Sequence, residues 1–281
     1  MSGYKNSSLL KDFPTVSPAT IDEYIKKCKT LFNFFLSCNY IYTNPFLIIK
    51  KQKTPRNSAD TNWLPFKPKE LKKLLNQTNS NEKLKEEYNL MKLCLYTGFR
   101  REELSLLKVE NIEFEKGYID FDYEINLTKT ENSKRIVPIH KDIEDLIKIQ
   151  MENKKDTDYL FFNEKTWTQK NRGERMGYII NKIILSFLNN DKENKKHYNL
   201  HSIRKNFTQT LVISKKFQEL DYKTIIGHST NNDITDKHYL MGKRDYLSYK
   251  KSMDEISFEE FFDTKILLQI NNININNSIS I

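Results

Sequence analysis

The spacing of apolar residues along the chain predicts a fold made mainly of helices. Apolar residues recur at helical intervals over 18–42, 68–75, 81–96, 141–152, 174–189, 201–213, 216–226 and 254–269. Pro18 and Pro68 stand at the starts of the first two segments, and Gly98 follows the third. These are the residue types that helix starts and helix ends favour.

One stretch changes from the helical period to the alternating period of β-strands. Residues 118–123 alternate apolar and polar side chains, and 135–139 form a second short apolar run. The residues between them, 128–134, are polar and include two lysines. The pattern predicts a β-hairpin or small sheet with an exposed tip, so the expected fold class is mainly α with a small β-sheet (α+β).

A polar, basic segment without periodicity at 50–62 is typical of a linker. We therefore predict a short helical segment with its linker at 1–62 and a main domain at 63–270. The last residues, 271–281, are rich in Asn, Ile and Ser, and this low-complexity composition predicts a disordered tail.

The charge of the chain favours a polyanionic partner. Its 281 residues contain 46 Lys and Arg against 37 Asp and Glu, a net charge of +9, and residues 1–62 hold nine of the basic residues against four acidic ones. Such a surplus attracts nucleic acid, although charge alone fits a solvated surface equally well. No apolar run approaches the roughly 20 residues that cross a membrane, and no secretory signal opens the chain. We expect a cytoplasmic protein without membrane contact.

Several classes of site are disfavoured by what the sequence lacks. The three cysteines form no CxxC pair, and the seven glycines form neither a P-loop nor a dinucleotide fingerprint. His197 and His201 have the spacing of a helical metal pair, but no glutamate lies between them to act as the base of a metalloprotease. We predict neither a metal nor a cofactor.

Two pairs of side chains could act together. Arg100 follows the helix stop at Gly98, and Glu103 would share its face if a helix restarts there. His201 and Arg204 have the same three-residue separation on a predicted helix and could grip an anion. Taken singly, each pair is better explained as a solvated surface pair, which contributes little to stability.

The order of the motifs carries more information than any one of them. Along the chain stand Thr-Gly-Phe-Arg100, Lys129 in the hairpin, His201-x-x-Arg204, Gly-His228 and His-Tyr239. In this order and in these contexts, residues 18–262 resemble the tyrosine recombinase, or phage integrase, family. The resemblance implies a catalytic domain of that family, preceded at 1–62 by only part of its helical DNA-clamping, or core-binding, domain.

The resemblance also implies a mechanism. Tyr239 would attack a DNA phosphodiester, giving a 3′-phosphotyrosyl link and a free 5′-hydroxyl without metal or ATP. The planar guanidiniums of Arg100 and Arg204 would stabilise charge on the nonbridging oxygens. Lys129 would protonate the leaving 5′-oxygen.

The remaining motif residues take supporting roles by the same resemblance. His201 matches the histidine that transfers protons, and His228 matches a hydrogen-bond donor to the phosphate. Glu103 matches an acidic residue that braces the site.

Two assignments have competitors within the chain. Lys134 lies in the same hairpin as Lys129, which we prefer because the lysine of the family opens the turn. Tyr239 lies eleven positions after His228, about two more than the resemblance leads us to expect. Tyr246 and Tyr249 are therefore alternative nucleophiles, although they belong to a more distant basic helix.

These expectations define a function and its rivals. The leading interpretation is a site-specific recombinase of a phage or mobile element, acting on double-stranded DNA with specific half-sites. It would work as a tetramer on two duplexes, joined by exchange of a C-terminal helix at 254–269. An Xer-type resolvase of chromosome dimers, a type IB topoisomerase and a non-catalytic DNA-binding accessory protein are the alternatives.

Overall fold

The computed structural model of the chain describes residues 16, 18–49, 63–121, 135–188, 198–227 and 246–258. The chain divides into two compact units, one of residues 1–62 and one of residues 63–281. The linker predicted at 50–62 and the tail predicted at 271–281 lie outside the described residues. Within those ranges, no helix is long and apolar enough to cross a lipid bilayer.

The first unit contains helix α1, Pro18–Ser37, followed by a 3-10 turn at Pro45–Ile48. The helix ends five residues before the predicted position, because Asn39 takes a left-handed conformation with φ 57°. The amide of the next residue, Tyr40, then donates to the carbonyl of Phe35 3.0 Å away, which closes the helix end. The prediction of a helix to residue 42 is therefore wrong in its last turn.

The second unit is mainly helical. Its helices are α2 Pro68–Asn79, α3 Lys85–Thr97, α4 Arg101–Leu106, α5 Glu144–Met151, α6 Gln169–Leu188, α7 Leu200–Ser214, α8 Glu219–Ile226 and α9 Tyr246–Asp254. Most of the predicted helices are found with shifted ends. Three residues separate the end of α3 from the start of the short helix α4.

The second unit also contains a small antiparallel sheet. Its strands are β1 Ile112–Glu113, β2 Tyr118–Phe121 and β3 Arg135–Pro138, in the order β1-β2-β3. Phe121 pairs with Arg135 where β2 meets β3. The predicted fold class, mainly α with a small β-sheet, is confirmed, and β1 is an edge strand that the sequence did not predict.

The end of α3 meets α7 at a glycine. Gly98 ends α3 with φ +62°, as the sequence predicts. A Cβ atom at this position would lie 2.2 Å from the ring of Phe207 on α7, so only glycine permits the contact. This close approach brings the chain after α3 beside the first turns of α7.

The helix predicted at 254–269 is wrong at its start. Asp254 ends α9, and residues 255–258 are not helical. Ile256 and Phe258, predicted to lie on an apolar stripe apart from the body, are 3% and 0% exposed. The ring of Phe258 stacks on Phe207 at 5.8 Å, and the Ile256 carbonyl lies 3.0 Å from Nε2 of His140. These contacts hold the segment in the core of its own unit, and residues 259–269 lie outside the described residues.

Candidate functional site

The structure brings three of the predicted site side chains to one place, where α3, α4, α7 and α8 meet. Arg100, Glu103 and Arg204 lie in this cluster, and His201 lies one turn before Arg204 on α7. The other predicted site residues lie outside the described residues: Lys129, His228 and Tyr239, together with the competitor Lys134.

Local helix geometry joins Arg100 to Glu103. Arg100 is the N-cap of α4 and Glu103 its third residue, so that the carboxylate reaches back to the start of the helix. The Glu103 Oε2 accepts from the Arg100 amide at 2.7 Å, and Oε1 accepts from Arg100 Nη1 at 2.7 Å. The Glu103 side chain is only 2% exposed, whereas that of Arg100 is 37% exposed. This is therefore not the solvated surface pair that the sequence favoured when the motif was taken alone.

A third arginine, which sequence reasoning missed, completes the cluster. Arg135, the first residue of β3, donates from Nη1 and Nη2 to the two oxygens of Glu103 at 2.8 and 2.7 Å. Its side chain is 1% exposed, and its guanidinium lies 4.8 Å from the centre of the Phe99 ring. The signal in the sequence was its place in the strand, because Arg135 shares the inward face of β3 with Val137.

The C-terminal end of α8 holds all three arginines. Its last carbonyls, those of residues 225–227, accept hydrogen bonds of 2.5–2.9 Å, in chain order, from Arg135, Arg204 and Arg100. A helix end leaves such carbonyls without intrahelical partners and carries a partial negative charge, so guanidiniums suit it. Each arginine is thus held to a fixed backbone point.

Glycines at two helix ends make room for these contacts. Gly227 ends α8 with φ +68°, and a Cβ there would lie 2.9 Å from Nη1 of Arg135 and 3.2 Å from Nη1 of Arg100. The carbonyl of Gly98, at the end of α3, accepts from Nη1 of Arg204. Two helix ends therefore fix the guanidinium of Arg204 between them, and it is 3% exposed.

The cluster carries more positive than negative charge. Three arginines surround one carboxylate, which leaves a net charge of +2. Burial would raise the pKa of Glu103, but the charges and hydrogen bonds of Arg135 and Arg100 outweigh it and lower the pKa to about 2. Burial lowers the pKa of Arg204, and the charges of Arg135 and Arg100 lower it further. An anion beside the partly exposed side chain of Arg100 would relieve this repulsion.

The pKa of Glu103 predicts a pH dependence of stability. Because the folded pKa lies near 2, below the ordinary 4.5, the ionised carboxylate stabilises the fold above about pH 4.5, and this contribution disappears as pH falls towards 2. The wild type should have a higher free energy of unfolding than Glu103→Gln at pH 4.5 and above. This difference should shrink by on the order of 3 kcal/mol as pH falls from 4.5 to 2. Urea unfolding at a series of pH values measures it.

The neighbouring glutamate supplies the control for this measurement. Glu102 is 56% exposed on its side chain and pairs with Arg101 at the surface. Glu102→Gln should leave the difference in unfolding free energy from wild type almost independent of pH. An equally flat difference for Glu103→Gln would contradict the depressed pKa.

Helix α7 presents His201 and Arg204 in different environments. The helix begins after Asn199, whose side-chain oxygen accepts from the amide of Ser202 at 3.2 Å. His201 lies in the first turn and is exposed, whereas Arg204 lies one turn further and is buried. The exposed imidazole and the buried guanidinium are three residues apart and therefore lie on the same side of the helix.

One competitor for the nucleophile has a structural contact. The Tyr249 hydroxyl on α9 donates to the carboxylate of Asp221 on α8. Its half-buried ring also lies edge-on to Phe217, with ring centres 5.9 Å apart. These contacts pack α9 against α8 and account for Tyr249 without a chemical role.

Comparisons with known proteins identify the family of the chain. Residues 65–242 match the model of the phage integrase family. The prophage integrase IntR of Escherichia coli K12 is 30% identical over 101 residues, which are 36% of this chain and 22% of that protein. The chain thus spans about a fifth of the length of this curated relative.

Solved structures share the fold. The Tn1549 transposon integrase (residues 82–397), in complex with circular intermediate DNA, is 19% identical with a TM-score of 0.57, covering 81% of this chain and 80% of that one. The integrase of mycobacterium phage Brujita is 14% identical with a TM-score of 0.52, covering 89% and 76%. Likeness at these identities concerns the fold alone. Because the match to the family model covers more than half of this chain, the chain belongs to the phage integrase family.

Proposed function

We propose that the protein is a site-specific DNA recombinase that cleaves and rejoins DNA through a 3′-phosphotyrosyl intermediate, for a phage or other mobile element. The observation that carries the proposal is the cluster of three arginines around the buried Glu103, in a member of the phage integrase family. A net charge of +2 with one partly exposed guanidinium suits a phosphodiester, whose transition state gains negative charge on its nonbridging oxygens.

The arginines are suited to the transition state because they are already oriented. Arg204 is fixed by the carbonyls of Gly98 and Ile226, and Arg100 by Glu103 and the carbonyl of Gly227. Their planes therefore need little reorganisation when charge develops on the phosphate. A lysine at either position would supply the charge but not the planar pair of donors.

The chemical steps follow from the residues that the family resemblance assigns. The Tyr239 oxygen attacks the phosphorus and gives up its proton to His201, while the bond from phosphorus to the 5′-oxygen breaks. Lys129, or its competitor Lys134, gives a proton to the leaving oxygen, and His228 donates to a nonbridging oxygen. The phosphotyrosyl bond conserves the energy of the broken bond, so that a 5′-hydroxyl can reverse the step and reseal the strand.

Double-stranded DNA with specific half-sites is the proposed partner. The Tn1549 integrase, which shares the fold, is described in complex with circular intermediate DNA. In this chain the unit of residues 1–62 would hold the duplex as a partial core-binding domain together with the catalytic domain at 63–270. Residues 1–62 contain nine basic and four acidic residues, and the basic ones would contact phosphates.

We also propose that the protein recombines DNA as a tetramer on two duplexes, with the later part of the C-terminal segment 254–269 passing to a neighbouring protomer. Since Ile256 and Phe258 pack in the core of their own unit, such an exchange would begin after Phe258. The apolar residues Phe261 and Phe262 would then dock on the neighbour.

Changing both phenylalanines, Phe261→Glu with Phe262→Glu, should abolish strand exchange and leave half-site binding intact. Two charges at an apolar docking site cost several kcal/mol, on the order of the transfer energy of the lost rings. Gel-shift assays separate half-site binding from synapsis. Leu247→Glu, at a position on α9 that is 75% exposed, is the control and should recombine normally. Normal recombination by the double variant would contradict helix exchange.

The cleavage proposal is tested with a nicked duplex that carries the attachment sequence of the element encoding the chain. The nick lets the short strand beyond the cleaved bond diffuse away, so that a covalent complex accumulates and survives denaturing electrophoresis. We expect an adduct without added metal, with the tyrosine attached to a 3′-phosphate. Binding without any adduct would instead indicate the non-catalytic accessory protein.

A further inference from the structure

The bidentate contact of Arg135 with Glu103 is the strongest ion pair in the cluster, yet the proposed chemistry does not use Arg135. Both nitrogens of its guanidinium face the two carboxylate oxygens at 2.7–2.8 Å. A parallel pair of charge-assisted hydrogen bonds is the strongest geometry available to a carboxylate. Its Nη1 and Nη2 both donate to Glu103, so we assign Arg135 no contact with a DNA phosphate.

The oxygens of Glu103 are already supplied with donors from two arginines. Oε1 accepts from Nη1 of Arg100 and Nη1 of Arg135, and Oε2 accepts from the Arg100 amide and Nη2 of Arg135. Nη1 of Arg204 stands 4.0 Å from Oε2, beyond hydrogen-bond distance. Arg204 therefore makes only a long ion pair with the carboxylate and no hydrogen bond to it.

Arg135 is itself anchored from three directions. Its Nε donates to the carbonyl of Ile225 at 2.9 Å, and its guanidinium lies over the Phe99 ring. Its backbone pairs with Phe121 in the sheet. A group held by a strand, a helix end and an aromatic ring can keep the carboxylate in one orientation.

We infer that Arg135 is a positioning residue for cleavage, which holds Glu103 bidentately and so keeps Arg204 from being drawn into a close, hydrogen-bonded ion pair with it. With Arg135 present, three arginines and one carboxylate leave a charge of +2 for the phosphate. Without it, the carboxylate would turn towards Arg204 and the charge would fall to +1. The inference rests on the proposed function, because its effect is on the cleavage step.

Arg135→Met tests the inference, since methionine fills similar volume without charge. Under single-turnover conditions with saturating nicked substrate, we expect adduct formation to slow on the order of 10²-fold, the scale for misplaced catalytic groups. The Kd for the duplex should change little, because Arg135 is buried. All rates are measured below the unfolding midpoint of each variant.

A second substitution separates positioning from a purely structural role. In the double variant Arg135→Met with Glu103→Gln, two arginines and no carboxylate restore a net charge of +2. We expect this variant to recover part of the lost cleavage rate, since glutamine at position 103 can still accept a hydrogen bond from Arg100. If Arg135 only maintained the fold, cleavage per folded molecule would be unchanged in the single variant and there would be nothing to rescue.

Arg172→Met is the matched control. Arg172 is likewise buried, but it donates to the backbone carbonyls of Ser105, Phe161 and Phe162 instead of a carboxylate. Its loss should lower stability and leave the cleavage rate of folded protein near wild type. This comparison isolates the carboxylate contact from the general cost of losing a buried arginine.

The outcomes distinguish the inference from the function on which it rests. No adduct with the wild type overturns the proposed function and the inference with it. An active wild type with an equally fast Arg135→Met, or a slow single variant that the second substitution fails to rescue, overturns the inference alone. If Arg135→Met does not fold, Arg135→Lys decides: slower cleavage at near-normal stability supports positioning, and full speed overturns it.

Discussion

Replacing Tyr239 with phenylalanine should abolish covalent attachment to DNA and leave DNA affinity within about twofold of wild type. The hydroxyl is the only atom removed, and in the proposed reaction it is the nucleophile, so no phosphotyrosyl bond can form. Affinity rests on many phosphate contacts, to which one phenol oxygen adds little. The nicked duplex measures the adduct, and a gel shift on the intact half-site measures affinity.

The two alternative nucleophiles, Tyr246 and Tyr249, provide controls from the same region. Tyr249→Phe removes the hydrogen bond to Asp221 and should cost about 1 kcal/mol of stability while leaving adduct formation intact. Tyr246→Phe should also cleave normally. An adduct formed by Tyr239→Phe at the wild-type level would refute the assignment, and its loss in Tyr246→Phe would transfer the role there.

Arg204→Lys is expected to slow cleavage by about 10²–10³-fold, the cost of losing one donor to a developing oxyanion. The guanidinium is held by two backbone carbonyls, those of Gly98 and Ile226, and a lysine ammonium cannot bond both and still present a planar donor pair. The charge is kept, so a loss of this size would be due to geometry. The rate of adduct formation at saturating DNA measures it.

An exposed arginine serves as the reference for this change. Arg175 on α6 is exposed and lies 5.8 Å from the Trp167 ring, away from the carboxylate cluster. Arg175→Lys should leave the cleavage rate unaltered. A near-normal rate for Arg204→Lys would remove Arg204 from the proposed transition-state contacts.

Local signals in the sequence were enough to predict the main elements and one contact of the site. Apolar periodicity predicted most helices, and Gly98 marked the helix end that the structure has. The three-residue spacing of Arg100 and Glu103 placed them on one helical face, where they form an ion pair. These features depend on residues close together in the chain.

Arg135 could not be identified in the same way. It follows the polar segment 128–134 and, apart from its place in the strand predicted at 135–139, looks like one more surface charge. Its burial depends on Glu103, 32 residues away, and on the Ile225 carbonyl, 90 residues away. Only the fold brings these groups together.

The helix predicted at 254–269 is wrong at its start because a local pattern was followed where distant contacts decide the structure. Ile256 and Phe258 belong to an apolar pattern that fits a helix, but tertiary contacts decided their conformation. His140 and Phe207 hold them as a non-helical segment against the core. Apolar periodicity cannot distinguish a helix from an irregular segment whose apolar residues are all buried.

The three consecutive carbonyls at the end of α8 determine how far apart the three arginines lie. Any insertion or deletion within 219–227 would change which carbonyl faces which guanidinium, and would displace all three arginines in a single event. Length changes after Gly227 do not have this effect. We therefore expect related chains to vary in length between Gly227 and the proposed nucleophile, which in this chain lies eleven residues after His228, and to keep the length of α8 constant.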